Sequence, residues 1–80
     1  MITIKILLRG TLPKYWEGEK ERTIMVPEGT TCHQALKSQG IDYEKIPRFG
    51  FVAVNGMRVM IHQELQDGDE LKAYSKVSGG

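Results

Sequence analysis

The chain has 80 residues, 40% of them apolar and 26% charged, with a net charge of +1 at pH 7. That length suits one domain, since two would each lack a core, and a domain this small buries only about 60% of the surface its unfolded chain exposes. The balanced charge, without a basic block or polybasic helix, argues against nucleic acid and against a membrane surface as partners. No apolar run approaches the roughly 20 residues that span a bilayer. Met1-Ile2-Thr3-Ile4-Lys5 lacks the basic segment and long apolar core of a secretion signal, so cytoplasmic residence is expected.

Ile2, Ile4, Ile6 and Leu8 alternate with Thr3, Lys5, Leu7 and Arg9, which predicts a strand with one apolar face ending at Gly10. Thr11 to Glu19, with Pro13 and Gly18, reads as a turn or loop. Its Tyr15 and Trp16 are expected to fold back onto the domain edge rather than to form a ligand platform. Alternation resumes from Glu21 to Val26, a second strand that pairs with the first as a hairpin and stops at Pro27-Glu28-Gly29. Thr30 or Thr31 offers a hydroxyl cap to a helix through Ala35-Leu36-Lys37, which Gly40 closes with Ile41 as the apolar residue after it.

Cys32, Leu36 and either Ala35 or Gln39 fall on one face of that helix. The cysteine therefore reads as a small buried side chain, the alternative being a thiol activated by the helix N-terminus. As the single cysteine, it excludes an internal disulfide framework and a Cys-based zinc cluster. With only His33 and His62 beside it, a three-ligand metal site would need distant residues to converge, and none is expected. No phosphate-binding loop, dinucleotide loop or nucleophile elbow occurs, so any chemistry is expected to be done to this protein rather than by it.

Ile41 to Gly50 is irregular, with Pro47 within it. Phe51-Val52-Ala53-Val54 predicts a third strand, and Asn55-Gly56 is a strong signal for a tight hairpin. Met57 to Ile61 is expected to return as a fourth strand. His62, in a short turn, reads as a solvated loop residue, and Leu65 is expected to drop into the core. After the polar turn Gln66-Asp67-Gly68-Asp69, a last strand runs from Glu70 to Val77. The order hairpin, helix, hairpin, final strand predicts an α+β roll with a helix on one face of a mixed four- to five-stranded sheet. The last strand should lie beside the first, parallel to it, in the middle of the sheet. The domain is expected to span residues 1–77, with 78–80 as a flexible tail.

That tail, Val77-Ser78-Gly79-Gly80, has little to pack and much backbone entropy to lose. It makes sense if the carboxylate of Gly80 is itself the reactive group. Without Cβ atoms, a thin extended segment can enter a narrow active site.

Together, Val52-Ala53-Val54-Asn55-Gly56, Leu65, Asp67-Gly68-Asp69-Glu70-Leu71 and the terminal Gly79-Gly80 resemble the ubiquitin-like sulfur carrier proteins. These include the small subunit of molybdopterin synthase (MoaD type) and the thiamine-pathway carrier (ThiS type). Pro27-Glu28-Gly29-Thr30 before a helix ending at Gly40 is also similar to that family. The resemblance implies a ubiquitin-like β-grasp fold and no activity or bound cofactor of the chain's own. An adenylating enzyme would use ATP and magnesium to activate the terminal carboxylate, and a sulfur donor would convert it to a thiocarboxylate. Gly80 would carry the sulfur and Gly79 would give the slim approach. A larger synthase subunit is a further implied partner. Length, through the Thr11 to Lys20 loop, favours the molybdopterin type over the thiamine type. Tyr74-Ser75-Lys76 departs from the aromatic and proline pair usual there. A ubiquitin-like modifier joined through Gly80 to lysines, and a plain binding module, are the competing readings.

The strand pattern itself nominates a docking surface. If the helix covers the face of Ile2, Ile4, Ile6, Val52, Val54 and Leu71, the opposite face carries Leu7, Phe51, Ala53, Lys72 and Tyr74. Leu7, Phe51 and Tyr74 would there expose a large apolar patch, unless the loop with Trp16 covers it.

Overall fold

The computed structural model describes residues 1–76. Five strands and one α-helix follow the expected order: β1 (Ile2–Leu8), β2 (Glu21–Val26), α1 (Cys32–Ser38), β3 (Phe49–Val54), β4 (Met57–Val59) and β5 (Glu70–Ser75). They form one mixed sheet in the order β2-β1-β5-β3-β4. β5 pairs with β1 in parallel and with β3 antiparallel, so the last strand occupies the centre. This is the ubiquitin-like β-grasp architecture that the sequence predicts.

The helix lies on one face of the sheet for a simple reason. Alternation along β1, β3 and β5 points Ile2, Ile4, Ile6, Leu8, Val52, Leu71 and Ala73 to the same side, all of them buried. Cys32, Ala35 and Leu36 of α1 join them in one core. Thr31 caps the helix, accepting from the Gln34 N–H while the Gln34 side chain accepts from the Thr31 N–H. At the other end, Gly40 takes φ +82, its N–H donating to Lys37 and that of Ile41 to Leu36, the double closure that a left-handed glycine permits.

Three boundaries differ from expectation. Thr11 to Glu19 contains a 3₁₀ turn over Leu12–Trp16. From it Trp16 folds into the helix-side core and donates from Nε1 to the Gln39 carbonyl at 2.8 Å. The tryptophan thus does fold back onto the domain, but away from the open sheet face.

β3 starts at Phe49, earlier than expected, through an irregularity between Phe49 and Phe51. β4 ends at Val59 rather than Ile61. The chain leaves the sheet there because its carbonyls are needed elsewhere. Ile61 and Gln63 accept from the N–H groups of His33 and Cys32, two first-turn donors that no residue within α1 can satisfy. Leu65 then enters the core as expected.

β5 is assigned through Ser75, and the expected strand end at Val77 and domain boundary at 77/78 lie outside the described residues. No helix among the described residues is long and apolar enough to cross a membrane.

Candidate functional site

Gly79 and Gly80 lie outside the described residues; what the structure defines is how the chain is led toward them. A central strand is hydrogen-bonded on both sides, so the end of β5 has a fixed position and direction. Two glycines fit closely against that end. An added Cβ at Gly50 would sit 2.9 Å from the Tyr74 carbonyl oxygen and 3.0 Å from backbone atoms of Ser75. At Gly10, with φ +68, it would collide with Ser75 Oγ. That hydroxyl accepts from the Thr11 N–H at 3.0 Å, and the Lys76 N–H donates to the Arg48 carbonyl at 2.6 Å. Strand β5 therefore leaves the sheet between the Gly10 turn and the Gly50 irregularity.

The opposite end of β5 is tied by the polar residues that carry much of the family resemblance. Asn55 Nδ2 donates to Asp69 Oδ1 at 2.9 Å, and Asn55 Oδ1 accepts from the Glu70 N–H at 2.9 Å. Asp67 Oδ1 accepts from the Thr3 N–H at 2.8 Å, and Asp69 Oδ2 from the Gln66 N–H at 2.7 Å. Asn55 and Gly56, at φ 52 and φ 85, make the left-handed pair of a tight hairpin turn. These motif residues are scaffold: they fix the starts of β1 and β5, at the end of β5 remote from the tail.

On the open face, pairing brings Leu7, Lys72, Ala53 and Arg58 into one row across four strands. In the next row Phe51 faces Tyr74, their rings stacked at 4.6 Å and 12°. The Arg58 guanidinium lies 4.6 Å from the Phe51 ring centroid, a cation–π contact that partly caps the stack. Lys72 Nζ lies 3.8 Å from a Glu70 carboxylate oxygen.

The expected exposed apolar patch is corrected in two respects. Leu7 and Ala53 are only 8% and 6% exposed, so neither adds to an open apolar surface. The accessible part is the half-buried Phe51, Tyr74 and Lys72, with exposed Arg58 at the edge. Arg58, Gly10 and Gly50 were not legible as site residues, since only register and bulge place them there.

Cys32 is fully buried. Burial pushes its thiol up to about 11, with a smaller raising effect from the Asp69 charge, against a lowering backbone hydrogen bond. Burial thus works against activation of the thiol by the helix N-terminus. His62 is exposed, as expected of a loop residue. His33, by contrast, meets the carboxylates of Asp42 and Glu44, groups that the sequence reading did not bring together.

The sequence profile of the ThiS family matches residues 12–80. The chain belongs to the ThiS family. No curated protein sequence matches it.

Among solved structures, SAMP1 from Haloferax volcanii is similar with a TM-score of 0.76 at 24% identity, covering 98% of this chain and 99% of that one. A protein described as molybdopterin converting factor, subunit 1, from Pyrococcus furiosus gives 0.73 at 22%, covering 96% and 100%. A chain of the BexX/CysO complex of Amycolatopsis orientalis gives 0.62 at 24%, covering 96% and 99%. At these identities the likenesses establish the fold, which sulfur carriers and ubiquitin-like modifiers share.

Proposed function

We propose that this ThiS-family chain is a sulfur carrier, a protein co-substrate rather than a catalyst, whose Gly80 carboxylate is adenylated and then converted to a thiocarboxylate. The observation that carries this reading is the family match, which runs through the Gly79-Gly80 pair. The chemistry needs activation because a carboxylate delocalises its charge and is a poor electrophile. Attack of a Gly80 oxygen on the α-phosphorus of ATP, with magnesium on the departing pyrophosphate, gives an acyl-adenylate. A sulfur donor then delivers sulfur at the oxidation level of sulfide. Its attack on the acyl carbon expels AMP and leaves a terminal C–S bond.

What supports this in the fold is that β5, the strand before the terminal residues, is braced on both sides. We assign docking of the adenylating enzyme to the open sheet face, centred on Phe51 and Tyr74 with Lys72 beside them and Leu7 and Ala53 beneath. The stacked pair is the accessible aromatic feature in the middle of that face, and partially exposed aromatic residues next to a cation are common anchors of protein interfaces. A larger synthase subunit is a candidate second partner. Among acceptor pathways we favour molybdenum or tungsten cofactor synthesis over thiamine synthesis. The 3₁₀ segment around Trp16 corresponds to the loop whose length set the molybdopterin type apart in the sequence.

The modifier reading shares the adenylation step and differs at the acceptor, a protein lysine in place of the sulfur donor. The similarity to SAMP1, the small archaeal modifier protein 1 of Haloferax volcanii, keeps it as the second reading.

The test is adenylation by the cognate activating enzyme, followed as ATP–pyrophosphate exchange. Gly80→Ala, or any residue added after Gly80, should abolish exchange while the fold is unchanged. Normal exchange with either variant would contradict the proposal.

A further inference from the structure

We propose that His33, Asp42 and Glu44 form a binding site for a divalent first-row transition ion, on the side of the domain where α1 meets the loop leading to β3. His33 stands in the first turn of α1, where its N–H donates to the Ile61 carbonyl at 2.8 Å. Its ring is packed edge-on by Tyr43 at 4.8 Å and His62 at 5.5 Å.

The packing turns Nε2 inward: that atom is shielded from solvent and has no hydrogen-bond partner, which is costly for a buried ring nitrogen. It faces Asp42 Oδ1 at 3.8 Å and Glu44 Oε1 at 3.7 Å. Both separations are too long for hydrogen bonds. The donor atoms of the three residues all lie within 4.8 Å of one another. A cation held at about 2.1 Å from nitrogen and oxygen ligands fits between them after a small inward movement, and it satisfies all three at once.

The freedom to close is present where it is needed. The Asp42 side chain is 14% exposed and is fixed by the Glu44 N–H, which donates to Oδ1 at 3.1 Å. Glu44 is 62% exposed and can swing inward. One imidazole nitrogen with two carboxylate oxygens suits zinc and its divalent neighbours. It is too nitrogenous for calcium or magnesium and offers no sulfur for copper(I). The site uses no residue of the strand exit or the open sheet face, so it stands or falls independently of the carrier reading.

The test is titration of the full, untagged chain, stripped with a chelator, with zinc chloride in a calorimeter, and with cobalt chloride for its visible absorption. One zinc per chain is expected, with a melting temperature that rises as zinc is added. His33→Gln and Glu44→Gln should each weaken binding by about tenfold or more. Glu44 is exposed, so its variant decides the matter even if the His33 variant fails to fold. The proposal is overturned if the native chain shows no saturable binding, or if binding survives Glu44→Gln.

Discussion

The two faces of the sheet are closed by different means. On the helix side, apolar side chains from four strands meet Cys32, Ala35 and Leu36 in one continuous core. On the other side the two central rows are a buried Leu7 and Ala53 flanking Lys72, and a Phe51–Tyr74 stack under one guanidinium. The first face is finished by the chain itself. Among the described residues, the second is covered by no helix, only by side chains of the sheet itself. Stability should therefore reside on the helix side and recognition on the open side.

The sharpest way to break that division is to cut into each face separately. Leu36→Ala removes a side chain that is 1% exposed, and should cost about 2–5 kcal/mol in denaturant unfolding. If it costs no more than a surface substitution, the helix-side core is not what holds the domain. Gly50→Ala tests the strand exit, because its Cβ would press on β5 backbone that cannot rotate away. A loss of about 1–3 kcal/mol is expected, together with weakened pairing of Ser75 seen as faster amide exchange.

Phe51→Asp should divide the two properties. Loss of a cross-strand aromatic pair costs stability about 0.2–1 kcal/mol, whereas loss of an interface anchor costs binding about 2 kcal/mol or more. Unfolding curves and titration with the activating enzyme measure the two. Full affinity in a folded variant would move the docking surface elsewhere.

The last effect is absent at neutral pH and belongs to Cys32. Its folded thiol is raised to about 11 from an ordinary value of 9.0, so the neutral form is favoured in the fold. Its contribution to stability is complete below pH 9 and is lost as the pH rises through 11. The native chain should lose stability over that window relative to Cys32→Ala. A thiol reagent at pH 7 should label the native protein only as fast as it unfolds.

The elements with a clear local signal were legible in the sequence. Alternation in β1 and β2, a threonine at the start of α1, Gly40 at its end and Asn55-Gly56 between β3 and β4 each carry their own geometry. The central, parallel placement of β5 followed from the order of those elements. What sequence could not give depends on contacts between distant segments. β4 is cut short because Ile61 and Gln63 serve the first turn of α1. Leu7 sits on the strand face that alternation marks as open, yet its neighbours cover it. Gly50 looks like a loop glycine until β5 is laid against it. His33 offered no partner in its own stretch because its carboxylates come from the loop after the helix. Conversely, the Asn55 and Asp67-Gly68-Asp69 motifs helped to reveal the family, although their observed contacts are structural.

The most direct test of the carrier account is the intact mass of the chain with an unblocked C-terminus. It would be measured after incubation with the cognate activating enzyme, ATP, magnesium and a sulfide or cysteine-derived sulfur source. The account predicts a species in which one oxygen is replaced by sulfur, with fragmentation placing the change at Gly80. Gly80 found instead only in branched peptides on lysines, with no thiocarboxylate formed, would contradict it and establish the modifier reading.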